Sequence, residues 1–162
     1  MHTAARRYVA SHVLGRRWNR VVEIGGRNVN GGIRDLVAAA DYTSLDLAPG
    51  PDVDVVADCR TWQPPQPVDL VLCCEVLEHA PDPAGVVAAA ISYLGSGGRL
   101  VLTCAGPGRA PHSGYHGGPL ADGEHYANVD PEDLLGWCGA LRDVDLQRDP
   151  DACDVHLTGV RP

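Results

Sequence analysis

The stretch VVEIGGRNVNGG, Val21 to Gly32, is an apolar strand carrying a lone acid and followed at once by a glycine-rich turn. A carboxylate buried without a partner costs several kcal/mol, so Glu23 is expected to hold a partner or serve a ligand. The glycines beside it let backbone N–H groups come close to whatever binds there. On either side of this stretch the apolar runs repeat. Val68 to Val76 (VDLVLCCEV) and Arg99 to Cys104 (RLVLTC) read as strands buried on both faces. Tyr42 to Leu47 and Val53 to Ala57 read as shorter strands, after a first strand at Arg20 to Gly26.

Helical spacing predicts a helix over Thr3 to Leu14, and good helix formers predict another over Gly32 to Ala40, opening from the glycine turn. A third is predicted from Pro83 to Leu94, stopped by Gly95 and the GSGG turn. A fourth runs from Pro131 to Leu141, with Asp130 as its cap. The prolines of WQPPQP (Trp62 to Pro67) exclude a helix interior or a central strand. Asp143 to Arg148 and Asp154 to Val160, joined by DPDAC, predict an antiparallel hairpin. Apolar strands separated by helices imply a single doubly wound α/β domain, its sheet mostly parallel with the terminal pair at one edge.

A length of 162 residues suits one domain with a proper core, and 44% hydrophobic content places it among globular chains. A net charge of −8 argues against a nucleic-acid partner, which needs clustered basic residues. None of the six cysteines forms a CxxC pair and most sit in apolar runs, which suggests buried free thiols in a reducing compartment. No apolar run approaches the ~20 residues needed to span a bilayer, so a cytoplasmic protein without a membrane partner is expected.

In open α/β sheets ligands bind beyond the carboxyl ends of the strands, where the strand order reverses. The glycine turn lies there, and Asp46 and Asp58 end the next two strands. A glycine turn alone, or a strand-end acid facing water, is common; three acids on three successive strand ends are less easily set aside. At this point the chain resembles the class I S-adenosylmethionine-dependent methyltransferases, near the methyltransferase type 11 group. VVEIGGRNVNGG looks like the family's first motif, YTSLDLAPGPDVDVVADC like the next two, and VDLVLCCEVLEHAPDP like the fourth, with EVLEH its most recognisable part. SYLGSGGRLVLT looks like the fifth strand and its entry turn.

The resemblance implies a Rossmann-like, seven-stranded fold and S-adenosyl-L-methionine as cofactor. It divides the chain into an N-terminal helix (1–19), a cofactor-binding core (20–104), a substrate loop (105–129) and a closing helix and hairpin (130–162). Glu23 would orient the glycine loop, and Gly25, Gly26 and Arg27 would run beneath the cofactor. Asp46 would take the ribose hydroxyls, with Leu47 against the adenine. Asp58 and Cys59 would line the adenine's edge, and Cys74 and Glu75 would sit beside the methionine part and face the substrate. Arg27 stands where many members carry a second glycine. It also breaks the GxGxxG dinucleotide fingerprint, which leaves an NAD-dependent oxidoreductase as a lesser alternative.

Methyl transfer is a direct displacement, so a base matters only for a protonated acceptor. His116 or His125, in the glycine- and histidine-rich loop, is the candidate base; a mobile solvated loop is the plain alternative. A metal site from His112, His116 and Glu124 or His125 ranks below both, and no metal is expected. His79 more often shapes its turn than reacts. The acceptor is expected to be a small molecule or a glycan-type hydroxyl. Short inserts between the second, third and fourth strands imply either a large substrate at an open site or a site completed by a second subunit, a homodimer. A non-catalytic cofactor- or partner-binding protein with the same fold is the alternative function.

Overall fold

The structure, a computed structural model, describes residues 3–162; the first two residues of the expected N-terminal segment lie outside it. The elements in chain order are α1 (Thr3–Val13), β1 (Arg17–Ile24), β2 (Ala38–Asp46), β3 (Val55–Val56), β4 (Val68–Cys74), α2 (Pro83–Tyr93), β5 (Leu94–Ala105), α3 (Pro131–Trp137), β6 (Arg142–Asp149) and β7 (Asp154–Val160). The sheet runs β3-β2-β1-β4-β5-β7-β6. The first five strands in that order pair in parallel, and β7 lies antiparallel between β5 and β6. The doubly wound, seven-stranded α/β fold expected from the sequence is therefore present, and its strand order reverses between β1 and β4.

Side-chain alternation along β4 sorts the core into two layers. Leu70, Leu72 and Cys74 pack with Tyr8, Val9 and Val13 of α1, joined by Trp18, Val21, Ile33 and Val101. Val71 and Cys73 face the other way, into a larger layer with Val86, Val87, Ala90 and Tyr93 of α2 and Leu134 of α3. Both helices on that side begin as their sequences dictate. Asp82 accepts from the Gly85 amide at 3.0 Å and Asp130 from the Glu132 amide at 2.8 Å, each ahead of a proline in the first turn.

One expected element is absent. In place of a helix over Gly32 to Ala40 there is a single 3-10 turn, Arg34–Leu36, and the chain is already extended at Val37. The reason lies in the neighbouring strand. β1 starts at Arg17 rather than Arg20, and its early residues pair with Ala38, Ala39 and Asp41. Alanine's helix preference is worth only tenths of a kcal/mol per residue over most others, too little to hold Ala38–Ala40 off an open parallel ladder. The links from β2 to β3 and from β3 to β4 carry no helix either, and β3 is only two residues long. A cavity of about 460 Å³ forms a groove lined by Asn19, Arg20, Asp41, Pro64 and Pro65, among others. It lies towards the amino ends of β1 and β2, away from the strand ends where the acids gather.

Candidate functional site

At the carboxyl end of β1 the chain turns at Gly25, with φ of 73°. The amides of Gly25 and Gly26 both donate to the Leu45 carbonyl, at 2.8 and 3.1 Å. A side chain at Gly25 would run into Val76. One at Gly26 would meet Ser44 Oγ and stand 2.9 Å from Glu23 Oε2. Glycine is needed at the first position for its dihedrals and at the second for closeness.

Glu23 lies beneath this turn, 5% exposed. It accepts a hydrogen bond from Tyr42 Oη at 2.7 Å. Burial pushes its carboxyl up to about 7, against the lowering effects of the Tyr42 hydroxyl and the Arg34 charge. Its Oε2 also lies close under Gly26, so the carboxyl packs against the underside of the turn. Asp46, at the end of β2, accepts from the Ala48 amide at 3.0 Å and from the Arg27 amide at 3.3 Å, so it too braces the loop. Leu47, next to it, is 69% exposed.

Asp58 is held below the usual carboxylate range by its hydrogen bonds with Arg60, whose guanidinium lies at 2.6 Å and also reaches Asp82 at 3.3 Å. Cys59 turns into the core. Its carbonyl accepts from Tyr93 Oη, and burial pushes its thiol up to about 11. Cys74 is buried on the α1 side. Glu75 leaves β4 with φ of 58°, a left-handed conformation that costs a glutamate on the order of 1 kcal/mol. Its amide donates to the Thr103 carbonyl at 2.8 Å, and its Oε1 accepts from Thr103 Oγ1 at 2.9 Å.

The segment after β5 folds back across these strand ends. Its roots are fixed by Arg109, which bonds Asp154 at 3.1 Å and the Ala152 carbonyl at 2.8 Å, and by the Ala127 amide on the Glu78 carbonyl at 2.8 Å. Its tip is held by Arg27, which donates to the Tyr115 carbonyl at 2.9 Å and lies over the Tyr115 ring. Arg27, the residue that departs from the glycine pattern, thus joins the glycine loop to the segment after β5. His116 and His125 are exposed, and His116 Nδ1 accepts from the nearby Gly118 amide at 3.1 Å.

The histidines that gather are His79 and His112, whose rings stand 5.1 Å apart, each within 5.4 Å of the Tyr126 ring. Beside them is Glu78, whose side chain is fully buried. Burial, and then the nearby Glu75 charge, hold this carboxyl well above its ordinary range. Burial and His112 push His79 down to about 4. Among the described residues, the potential metal-ligating group that comes together is Glu78, His79 and His112, not the His112, His116 and Glu124 or His125 set weighed from the sequence. Sequence reasoning passed over Tyr42, Thr103 and Glu78. Tyr42 had a signal: Tyr42, Ser44 and Asp46 recur every second residue, which puts them on one face of a strand.

A family profile described as a methyltransferase domain matches residues 6–142. A ubiquinone biosynthesis O-methyltransferase of Xylella fastidiosa is 33% identical over 103 residues, covering 52% of this chain and 41% of the relative. Its counterpart in Xanthomonas euvesicatoria is 31% identical over 156 residues, covering 79% and 62%. The chain thus spans about half the length of the curated relatives it matches. Among solved structures, the N-methyltransferase NodS of Bradyrhizobium japonicum, with S-adenosylhomocysteine, aligns with a TM-score of 0.67 at 16% identity, covering 99% of this chain and 85% of that one. The 1,6-didemethyltoxoflavin-N1-methyltransferase of Burkholderia thailandensis aligns with a TM-score of 0.65 at 16% identity, covering 98% and 77%. No helix among the described residues is long and apolar enough to cross a membrane. With a family match over most of its length and the family's sheet order, the chain belongs to the class I S-adenosylmethionine-dependent methyltransferases.

Proposed function

We propose that this chain binds S-adenosyl-L-methionine beyond the carboxyl ends of β1, β2 and β4 and transfers its methyl group to a small-molecule or glycan-type acceptor. The observation that carries the reading is the cradle itself. Bare backbone at Gly25 and Gly26 is braced by Glu23 from below and by Asp46 from the side, at the point where the strand order reverses. The donor set fits the cofactor. Gly25, Gly26 and Arg27 would lie along its amino-acid and ribose portion, Asp46 keeps acceptor capacity for ribose hydroxyls, and Asp58 and Leu47 would flank the adenine. Bound there, the sulfonium supplies an electrophilic methyl group.

The chain's own part is alignment and exclusion of water. Arg27 holds the post-β5 loop over the strand ends, and Thr103 fixes the Glu75 carboxylate on the acceptor side. His116 and His125 stay in the proposal as candidate bases on that loop, able to take a proton from an acceptor that carries one. The burial of five of the six cysteines in the core, as small apolar side chains, supports a reducing, cytoplasmic setting. The short links around β3 support an acceptor side that is open or completed by a second copy of the chain.

Calorimetry with S-adenosylmethionine, S-adenosylhomocysteine and NAD tests the reading. Both sulfur compounds are expected to bind, and Asp46→Asn to weaken them about ten-fold, the worth of one charge-assisted hydrogen bond. Binding of NAD alone, or of none of the three, would overturn it.

A further inference from the structure

We propose that Arg34 is a positioning residue for cofactor binding, a role that rests on the methyl-transfer reading. Paired with Asp54, it holds the glycine loop against the link between β2 and β3, in place of the crossover helix absent from this stretch. In a doubly wound sheet the helix after β1 buries one face on the sheet and so fixes the turn ahead of it. Here the turn leads into three residues of 3-10 helix, Arg34–Leu36, too short to present such a face. The loop has to be held by other means.

Polar contacts supply the hold. Arg34 Nη1 donates to the two Asp54 oxygens, at 3.0 and 3.2 Å, and reaches the Asp52 carbonyl at 3.4 Å. Asp54 Oδ2 also accepts from the Ser44 amide at 2.9 Å, and the Asp54 amide donates to the Ser44 carbonyl at 2.9 Å. One carboxylate thus bridges β2 and the turn that follows the glycine loop. A second tie lies beside it. Asn28 donates from its side chain to Asp52 at 2.8 Å and from its amide to the Pro51 carbonyl at 3.0 Å, while its Oδ1 accepts from the Gly31 amide at 2.9 Å. The glycine loop and residues 51–54 are laced together at these two points.

The same guanidinium lies over the Tyr42 ring, 4.9 Å from its centre, and its Nη2 reaches the Tyr42 carbonyl at 3.4 Å. Tyr42 is the side chain whose hydroxyl donates to Glu23 beneath Gly26. Arg34 therefore acts on the cradle through two partners. Tyr42 carries its hold to the carboxyl under the glycine turn, and Asp54 carries it to the strand that ends in Asp46. The pair itself is open to water, with the two side chains 39% and 40% exposed. An ion pair in that setting adds little to folding stability. Losing it should slacken the cradle while the fold stays intact, and that separation is the signature of a positioning role.

The test is calorimetry with S-adenosylhomocysteine on the full chain, beside thermal melts of the same samples. Arg34→Ala should weaken binding about ten-fold with little change in Tm. Arg34→Lys keeps a charge beside Asp54 and should recover most of the affinity. Adding Asp54→Asn to Arg34→Ala should weaken binding no further, because the two residues act as one unit. Arg142→Ala, which breaks an exposed pair with Asp143 on β6, should bind as the parent does. In the cofactor-free protein, hydrogen–deuterium exchange at residues 28–31 and 51–54 should quicken in Arg34→Ala while β4 keeps its protection. If Arg34→Ala fails to fold, Asp54→Asn, which keeps an acceptor for the Ser44 amide, decides by the same readings. Parent-like affinity or unchanged exchange in Arg34→Ala, no recovery in Arg34→Lys, or an equal loss in Arg142→Ala would overturn the positioning role and leave the methyl-transfer reading standing. Failure of the parent itself to bind would overturn both.

Discussion

Replacing Glu23 by glutamine tests how the glycine loop is supported. The carboxyl is buried and its value is pushed from the ordinary 4.5 to about 7. A folded-state value above the unfolded one means that the folded chain holds the proton more tightly. The resulting stability is fully present below 4.5 and is lost as pH rises through about 7. At 1.36 kcal/mol per pH unit the loss amounts to about 3 kcal/mol once the pH exceeds about 8. Glutamine does not titrate, and its carbonyl can still accept from Tyr42 Oη. Its new amide has Ser44 Oγ, buried and unpartnered, close by on the adjacent strand. Glu23→Gln should therefore match the parent below pH 4.5 and exceed it increasingly as the pH rises.

For a domain of this size the gap at about pH 8 corresponds to roughly 6–12 °C in Tm. Thermal melts of both proteins from about pH 4.5 to 8 supply the assay. Because Glu78, His79 and every other titrating group occur in both, their contributions cancel in the difference. A gap that stays constant across this range would refute the reasoning, since it would mean that Glu23 is charged throughout or lies outside the core.

Two further outcomes follow from the same neighbourhood. Tyr42→Phe removes the 2.7 Å hydrogen bond to Glu23 and should cost about 2 kcal/mol above about pH 8, where the acceptor is charged, and about half that where it is protonated; urea melts at two pH values measure it. Arg27→Ala removes the bond to the Tyr115 carbonyl and the contact with its ring, together worth about 1–2 kcal/mol. Amide exchange at residues 113–117 should accelerate about ten-fold, read by hydrogen–deuterium exchange, while α2 and β4 keep their protection.

Strands buried on both faces were the most legible part of this chain. Val68 to Cys74 and Asp154 to Val160 lie where their apolar patterns put them, because full burial leaves little alternative. Ala38 to Ala40 were misread because alanine is indifferent enough to follow its neighbour, and the length of β1 was decided by pairing rather than by composition. The positions of Glu23, Asp46 and Asp58 were visible because an acid at the end of an apolar run is conspicuous; whether they meet a cofactor belongs to the proposed function. Cys59 was not readable in the same way. Whether a side chain at a turn faces the sheet or the ligand depends on a single peptide's orientation, and here it faces Tyr93 and the core. The Glu78–His79–His112 group was hidden for a different reason. Its members come from a turn after β4 and from a loop some thirty residues on, and only the fold of that loop sets them side by side.

The scarcity of crossover helices around β2 and β3 also bears on kinetics. Leu47 and Val56 stand exposed on that flank, while the opposite side of the site is fastened by Arg27 and the loop it holds. Under the proposed function the adenosine end of the spent cofactor faces the unfastened flank. Exchange of cofactor can then proceed without opening the acceptor side, so the two ligands have separate doors, and cofactor turnover is not tied to the rate at which the loop lifts.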